Sequence, residues 1–292
     1  AFNRYGREHM FLGYFGYDRP PFPGGQDQLL LQSSFGGLHD VSATNLPQVL
    51  DHSHGICSAD LNGDGSADIV KNLGGYQKVL INNGTGVVAE QNDLMQPLFH
   101  FEDPTYKAVW GPSGYHPISY WQCATGDFNA DGVQDILLGG GNTDVQAVDA
   151  NGNTIAPSID FFGNLIGPSN ALLLGTRLTG KLQYKYPDSV LPSSLAGRQL
   201  FPVAASVNVL AVDLDNNGCL DSAVYQTNYS TMHNVDVFFG NCTGGFARVT
   251  VEIPFTASSS QPWASHMKAV DLNDDGYLDI VAFGNLSGSN TM

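Results

Sequence analysis

Basic residues are scarce in this 292-residue sequence, which has 12 lysines and arginines against 28 aspartates and glutamates. The formal net charge is −16, so the chain lacks the positive surface that nucleic acids and anionic membranes attract. It also lacks a run of about eighteen apolar residues, the length that spans a bilayer. We therefore expect no nucleic-acid partner and no membrane insertion. Hydrophobic residues still make up 42% of the chain, which predicts a folded protein with a sizeable core.

Catalytic motifs are missing as well. The sequence contains no G-x-S-x-G nucleophile elbow, no H-E-x-x-H zinc motif and no glycine-rich phosphate loop. Its four cysteines form no C-x-x-C pair, so no zinc site is indicated. These absences predict that the chain is not an enzyme.

The sequence has instead a repeated acidic pattern, D-x-[DN]-x-[DN]-G-x-x-D. It occurs four times, at 60–68, 127–135, 213–221 and 271–279, here called loops I to IV. Oxygens at positions 1, 3, 5 and 9 and the main-chain carbonyl at position 7 can converge on one ion, because the glycine at position 6 permits a sharp turn. All-oxygen ligand sets suit Ca²⁺ better than a transition metal. We therefore predict about four calcium ions, one for each loop.

The predicted ligands follow from the register of each loop. In chain order they are Asp60, Asn62, Asp64, Ser66, Asp68, Asp127, Asn129, Asp131, Val133, Asp135, Asp213, Asp215, Asn217, Cys219, Asp221, Asp271, Asn273, Asp275, Tyr277 and Asp279. The four residues at position 7 would contribute only their carbonyl oxygens.

The loops differ from EF-hands, which need a glutamate at position 12. Position 12 is here Lys71, Leu138, Val224 or Ala282. A short strand-like run precedes each loop and another follows it, so each loop is predicted to join two strands rather than two helices.

The loops also mark a structural repeat. After each of the first three comes a strand, a glycine-bearing turn and another strand, so that one unit consists of strand A, acidic loop, strand B, connection, strand C, tight turn and strand D. Repeated four-stranded antiparallel units predict an all-β fold, a β-propeller with three complete and two partial blades. The predicted units are 1–46 (partial), 47–100, 101–190, 191–256 and 257–292 (partial).

The four acidic loops and the glycine turn before strand D resemble the FG-GAP or VCBS repeats, which are the calcium-bearing propeller blades of integrin alpha subunits and many secreted proteins. This resemblance implies a propeller, bound calcium and an extracellular or cell-surface location. It does not imply one particular activity.

Propellers of the resembled family have seven blades, and this chain is too short for seven. Three arrangements stay open. The chain is a fragment, or its N-terminal hairpin completes its C-terminal blade, or its open edge accepts strands from another subunit.

Two long insertions, 91–118 and 139–170, are predicted to lie on the face opposite the calcium loops, because the strands alternate in direction. Long loops on a rigid scaffold often carry function. The insertions are rich in aromatic residues, which stack on sugars or anchor protein partners. We take Trp110, Tyr115 and Phe162 as the candidate partner-binding residues.

Two disulfides and four glycosylation sites are candidates as well. Cys219 in loop III and Cys242 in the following C–D turn lie on the same predicted face, so a bond between them is expected. A second bond, Cys57 to Cys123, would join adjacent A strands, with two buried free thiols as the alternative. The sequons are Asn83, Asn228, Asn241 and Asn285.

The sequence as a whole predicts an extracellular, calcium-stabilised scaffold for binding or adhesion, with a protein or glycan partner. Three alternatives remain: a lectin with sugar sites on or between the blades, a subunit of a surface filament, or the accessory propeller of a larger secreted enzyme.

Overall fold

The computed structural model describes residues 7, 9–16, 24–73, 77–91, 107–109, 120–140, 146–148, 171–178, 181–185, 205–227, 233–252 and 262–286. Within these ranges the chain consists of antiparallel strands with one short helix, so the prediction of an all-β protein is confirmed. No helix in this part of the chain is long and apolar enough to cross a membrane.

The first three strands form a meander that we call sheet N. They are β1 (Met10–Leu12), β2 (Gln28–Gln32) and β3 (Leu38–Asp40), paired in that order. A short helix, α1 (Ser42–Asn45), follows. β2 contains three consecutive leucines, of which Leu29 and Leu31 share the face that packs on sheet I.

Sheet I contains loop I. Its strands, paired in chain order, are β4 (Gly55–Ala59), β5 (Asp68–Asn72), β6 (Gln77–Asn82) and β7 (Val88–Glu90). All five residues of β5 are buried, because this strand lies inside the sheet and both of its faces are covered.

Sheet II contains loop II. The next six strands of the chain are β8 (Lys107–Val109), β9 (Tyr120–Gly126), β10 (Asp135–Gly140), β11 (Gln146–Val148), β12 (Ala171–Leu178) and β13 (Lys181–Lys185). Sheet II has the order β9–β10–β12–β13. The remaining two strands, β8 and β11, pair with each other. One of them comes from each predicted insertion, so the two insertions are joined through their backbones.

Sheet III contains loop III, and sheet IV contains loop IV. Sheet III pairs β14 (Ala205–Val212), β15 (Asp221–Thr227), β16 (His233–Gly240) and β17 (Phe246–Glu252) in chain order. Sheet IV pairs β18 (Pro262–Val270) with β19 (Asp279–Leu286).

Consecutive sheets pack face to face through four apolar clusters. The first strands β4, β9, β14 and β18 neighbour one another in that order. The clusters, from sheet N to sheet IV, include Leu29 with Ile69 and Leu80, then Val70 with Ile136 and Leu138, then Leu137 with Val209 and Val224, and finally Tyr225 with Met267. Each inner sheet therefore turns one face towards its predecessor and the other towards its successor.

A buried ion network also joins sheet N to sheet I. The ammonium group of Lys71, only 1% exposed, contacts the carboxylate of Asp27 and lies 2.8 Å from that of Asp51. Lys78 bridges Asp51 at 3.0 Å and Glu90 at 3.3 Å. Lys71 is the residue at position 12 of loop I, where an EF-hand would carry its glutamate. Its side chain points instead into the junction between two sheets.

Candidate metal centres

Each acidic loop connects the first strand of its sheet to the second. Loops I to IV join β4 to β5, β9 to β10, β14 to β15 and β18 to β19. Since the first strands lie side by side and the connection is the same, the four loops emerge at the same end of the sheets. The structure therefore places all four sequence-predicted ligand sets in equivalent positions.

Two residues of each loop adopt left-handed backbone conformations. At position 6 the φ angles are 87° for Gly65, 82° for Gly132, 85° for Gly218 and 86° for Gly276. A β-carbon at any of these glycines would meet nothing within 4 Å. The glycine is therefore required by the backbone angle rather than by lack of space. Position 4 is left-handed too, at Gly63, Ala130, Asn216 and Asp274.

The first aspartate of each loop fixes the turn. In loop I the carboxylate of Asp60 accepts hydrogen bonds from the backbone N–H groups of Asp64, at 2.9 Å, and Gly65, at 2.8 Å. Asp127, Asp213 and Asp271 accept the same pair of bonds in the other three loops. This repetition means that the four turns share one backbone arrangement.

Positions 3 and 5 continue the same arrangement. The side-chain oxygen of Asn62 accepts from the N–H of Asp64 at 2.9 Å, and Asp64 accepts from that of Ser66 at 2.8 Å. The corresponding bonds recur in loops II, III and IV. A carboxylate or amide oxygen has a second lone pair, so these acceptors keep the capacity to bind a cation.

The aspartate at position 9 is fully buried in loops I, II and III. The carboxylate of Asp135 is inaccessible to solvent and accepts from the N–H of Phe128, at the start of the loop, and from that of Gly175 in β12, both at 2.8 Å. Asp68 and Asp221 make the same two bonds in sheets I and III. This residue therefore ties its loop to the third strand of the sheet. The sequence pattern marked it as a ligand and gave no signal for the second role.

Burial changes the acidity of these carboxyl groups. Loss of solvent raises the pKa of Asp68 to about 6 and that of Asp135 to about 7, although the backbone hydrogen bonds pull in the opposite direction. The pKa of Asp221 is raised for the same reason. Negative charge is therefore costly at Asp68, Asp135 and Asp221, and a bound cation would offset that cost.

Loop III shows the best-assembled donor set. The carboxylate oxygens of Asp213, Asp215 and Asp221 lie within 4.8 Å of one another, the only such acidic group found in the described part of the chain. With the amide oxygen of Asn217 they make an all-oxygen set, which fits a hard divalent cation such as Ca²⁺. Loops I, II and IV have asparagine in place of Asp215, so each offers three carboxylates and one amide.

The two predicted disulfides are both present. Cys219 is bonded to Cys242 with a Cα–Cα distance of 4.9 Å, which ties loop III to the turn between β16 and β17. Cys57 is bonded to Cys123 at 5.6 Å, which joins β4 of sheet I to β9 of sheet II. The alternative of two free thiols is wrong.

Neighbouring sheets also contact one another at the loops, which the sequence did not predict. The guanidinium of Arg177 in β12 donates to the backbone carbonyl of Asn62 in loop I at 2.8 Å. The side-chain amide of Asn216 in loop III donates to the carbonyl of Gly276 in loop IV, also at 2.8 Å. Loops I, III and IV are thus linked to an adjacent sheet as well as to their own.

Sheet N has a counterpart of position 9 that is not acidic. The N–H of Gln32, the last residue of β2, donates to Nδ1 of His9 at 2.9 Å. Asn82, the last residue of β6, donates in the same way to Asp68. Sheet N therefore lacks strand A among the described residues but keeps the internal arrangement of the other sheets, with an imidazole in place of the carboxylate.

The remaining predicted sites are the three partner-binding aromatic residues and the four sequons. Trp110, Tyr115, Phe162 and the sequon Asn228 lie outside the described residues, and Asn285 lies in β19. The exposed side chains of two sequons, Asn83 and Asn241, each accept a hydrogen bond of 2.7 Å from the hydroxyl of the threonine two residues on. Their use as glycosylation sites stays a prediction.

Comparison with known proteins gives no family. No family model and no curated protein matches the chain. Among solved structures it is similar to a lectin from Agrocybe aegerita described as recognising non-reducing terminal N-acetylglucosamine, with 18% identity and a TM-score of 0.38. The similarity covers 79% of this chain and 47% of the lectin chain, so this chain spans about half of that protein's length.

Proposed function

We propose that this protein is an extracellular, calcium-stabilised β-propeller scaffold of the FG-GAP or VCBS type that binds glycans by a lectin-like mechanism. Two observations support the proposal. The four short acidic turns share one hydrogen-bond arrangement, and β8 and β11, one from each long insertion, pair with each other.

The propeller arrangement is supported by the packing of the sheets. Sheets I, II and III each have four antiparallel strands in sequential order, as propeller blades do, and their first strands neighbour one another. The bonds from Arg177 and Asn216 link adjacent sheets at the loop end. Five sheets stacked in this way make a rigid support for whatever the insertions display.

Calcium is supported by the donor chemistry. Loop III brings three carboxylates within 4.8 Å of one another, and all four loops carry oxygen donors at the same positions. A bound ion would supply positive charge beside the buried aspartate at position 9. The chain's own residues hold the loop in shape through the first and ninth aspartates, so the ion's role would be structural.

The extracellular location is supported by the two disulfides, since such bonds persist in oxidising compartments. The sequence motifs of hydrolases and nucleotide-binding enzymes are missing, and we propose that the chain acts by binding rather than by turnover.

The insertions are the proposed binding surface. Both leave the ends of strands that lie opposite the acidic loops, and the pairing of β8 with β11 brings them to one place. The insertions 91–118 and 139–170 combine aromatic residues with asparagine, aspartate and glycine, a composition that suits sugar rings and their hydroxyl groups. Trp110, Tyr115 and Phe162 are the proposed anchors.

A glycan array, including glycans that end in N-acetylglucosamine, tests this proposal. The wild-type chain is compared with a variant in which a short turn replaces 141–170, so that β10 stays complete, both in calcium-containing buffer. We expect the variant to melt at a similar temperature and to lose binding, and Trp110→Ala to weaken binding by about 2 kcal/mol. A wild-type chain that binds no glycan, or a variant that binds as well as the wild type, would contradict the proposal.

A further inference from the structure

Within the described residues, one face of sheet N and one face of sheet IV have no other sheet packed on them, and the residues on these faces match the residues that are buried between the inner sheets. Strand β5 shows how residues of one strand are divided between the two neighbouring sheets. Ile69, 1% exposed, faces sheet N, whereas the next residue, Val70, is fully buried and faces sheet II. Successive residues of a strand point to opposite faces, so the same rule predicts which residues of the outermost sheets face outwards.

On sheet IV the outward residues form what we call the C-terminal face: Val270, Leu272 and Val281. Ile280 packs towards sheet III, so Val281 points away from it. Leu272 stands at position 2 of loop IV. The equivalent side chains Leu61 and Phe128 are 0% and 1% exposed, because the following sheet covers them, whereas Leu272 is 67% exposed.

On sheet N the outward residues form what we call the N-terminal face: Met10, Leu12, Leu30 and Leu38. Their neighbours Phe11, Leu29 and Leu31 pack against sheet I. Met10, Leu12 and Leu38 are 45%, 42% and 47% exposed, and Leu30 is half-buried.

The register shows that the N-terminal face corresponds to an interface already present in the molecule. The bond from Gln32 to His9 matches that from Asn82 to Asp68, so Met10 corresponds to Ile69. Met10 pairs with Leu30 just as Ile69 pairs with Leu80.

Leu38, opposite Gln32, likewise corresponds to Val88, opposite Asn82. Ile69, Leu80 and Val88 are 1%, 3% and 4% exposed, because sheet N covers them. The N-terminal face thus presents apolar residues at the positions that a preceding sheet would cover.

We propose that a second copy of this chain packs on these faces, with the C-terminal face of one copy against the N-terminal face of the next. The C-terminal face carries apolar residues at positions that a following sheet covers, and the N-terminal face carries them at positions that a preceding sheet covers. The contact would therefore continue the sheet-on-sheet packing that the chain repeats four times within itself. Because the two faces differ, the contact is heterologous, and it propagates from copy to copy unless a ring closes.

Sedimentation velocity over a range of protein concentrations tests the inference. We expect the wild-type chain to exceed its monomer mass of 31.2 kDa as the concentration rises. Met10→Glu on one face and Leu272→Glu on the other should each give a monomer, because either change places a charge in the contact. Both side chains are substantially exposed in the single chain, so neither change should prevent folding. Phe35→Glu is the matched control, because Phe35 is 98% exposed in the β2–β3 turn and lies outside both faces.

Mixing the two variants separates head-to-tail packing from a symmetric dimer. Met10→Glu keeps an intact C-terminal face and Leu272→Glu an intact N-terminal face, so a mixture should form a two-chain complex and grow no further. A wild-type chain that stays monomeric at every concentration would overturn the inference, whether or not the variants change its melting temperature. Single variants that still assemble, or a mixture that stays monomeric, would overturn it as well.

Discussion

The aspartate at position 9 shows how one residue can serve the loop and the sheet together. Asp135 accepts one backbone N–H from loop II and one from β12, and no solvent reaches it. A carboxylate is well suited to this place because both of its oxygens are acceptors. An asparagine of the same shape has a single acceptor oxygen, so it must leave one of the two N–H groups opposite its own amide hydrogens.

Asp135→Asn should therefore destabilise the fold even without a metal ion. We expect a loss of about 1 to 3 kcal/mol in the free energy of unfolding, the usual cost of an unsatisfied buried group. Urea unfolding in the presence of a chelator measures it. Asp274→Asn, at an exposed left-handed position of loop IV that asparagine tolerates, is the control and should change stability by about 0.5 kcal/mol or less. Equal effects of the two changes would contradict the structural role.

Asp51 predicts how stability depends on pH at the junction of sheets N and I. Burial alone would raise the pKa of this carboxyl group, but hydrogen bonds and charge from Lys71 and Lys78 outweigh it and hold the pKa below its ordinary value of 3.8. The stabilisation is thus complete above pH 3.8 and is lost as the pH falls through the lowered pKa.

Urea midpoints measured from neutral pH into the acid range should therefore fall more steeply for the wild type than for Asp51→Asn, which has no carboxyl group to protonate. The variant should also be less stable at neutral pH, since it leaves Lys71 with one partner fewer. Parallel curves of urea midpoint against pH for the two proteins would show that Asp51 does not contribute to the loss of stability at low pH.

At the scale of elements, the acidic loops and the strands around them could be predicted because their signals are local. A nine-residue pattern with glycine at position 6 requires the left-handed turn that is observed, and the flanking apolar runs form the predicted strands. The disulfides followed from the placement of Cys57, Cys123, Cys219 and Cys242 on that repeat.

The features that could not be predicted depend on residues that are far apart in the sequence and meet only in the folded chain. No local signal in the sequence pairs β8 with β11, and none places Arg177 on loop I. The role of His9 could not be predicted either, because sheet N has no acidic loop from which to count its register. Nothing in the sequence around Lys71 distinguishes it from an exposed strand residue. Its burial is explained by its ion pairs with Asp27 and Asp51.

The glycine at position 6 gives a prediction for the loop as an element. Gly132→Ala should cost about 1 to 2 kcal/mol, because the φ of 82° is unfavourable for alanine although its β-carbon would meet nothing within 4 Å. Thermal melting of the two proteins measures the loss. Gly37→Ala is the control, since a β-carbon there makes only ordinary contacts of 3.7 and 3.8 Å with Ser33 and His39. A variant at Gly132 no less stable than this control would show that the loop does not require its left-handed turn.

For the whole molecule, charge and sheet packing are connected. The formal charge is −16, and a large part of it is concentrated in four loops at one end of the sheets. Repulsion among like charges opposes the compact state, and the hydrogen bonds from Arg177 to loop I and from loop III to loop IV help to hold those charges in place. Four divalent ions would halve the formal charge while strengthening the end of the sheets at which the four loops lie.

Calcium should therefore raise the melting temperature of the whole chain. An ion that binds only the folded state adds about 2.7 kcal/mol for each site at a concentration one hundred times its dissociation constant. Excess EDTA should lower the melting temperature by several degrees, and added calcium should restore it, whereas magnesium, which prefers a smaller octahedral site, should restore it less. Calorimetric titration should give about four ions for the wild type and one fewer for Asp215→Ala, which breaks the carboxylate set of loop III. Melting curves that coincide in EDTA and in calcium, or an unchanged ion count in the variant, would show that the acidic loops are hydrogen-bonded turns without a structural metal.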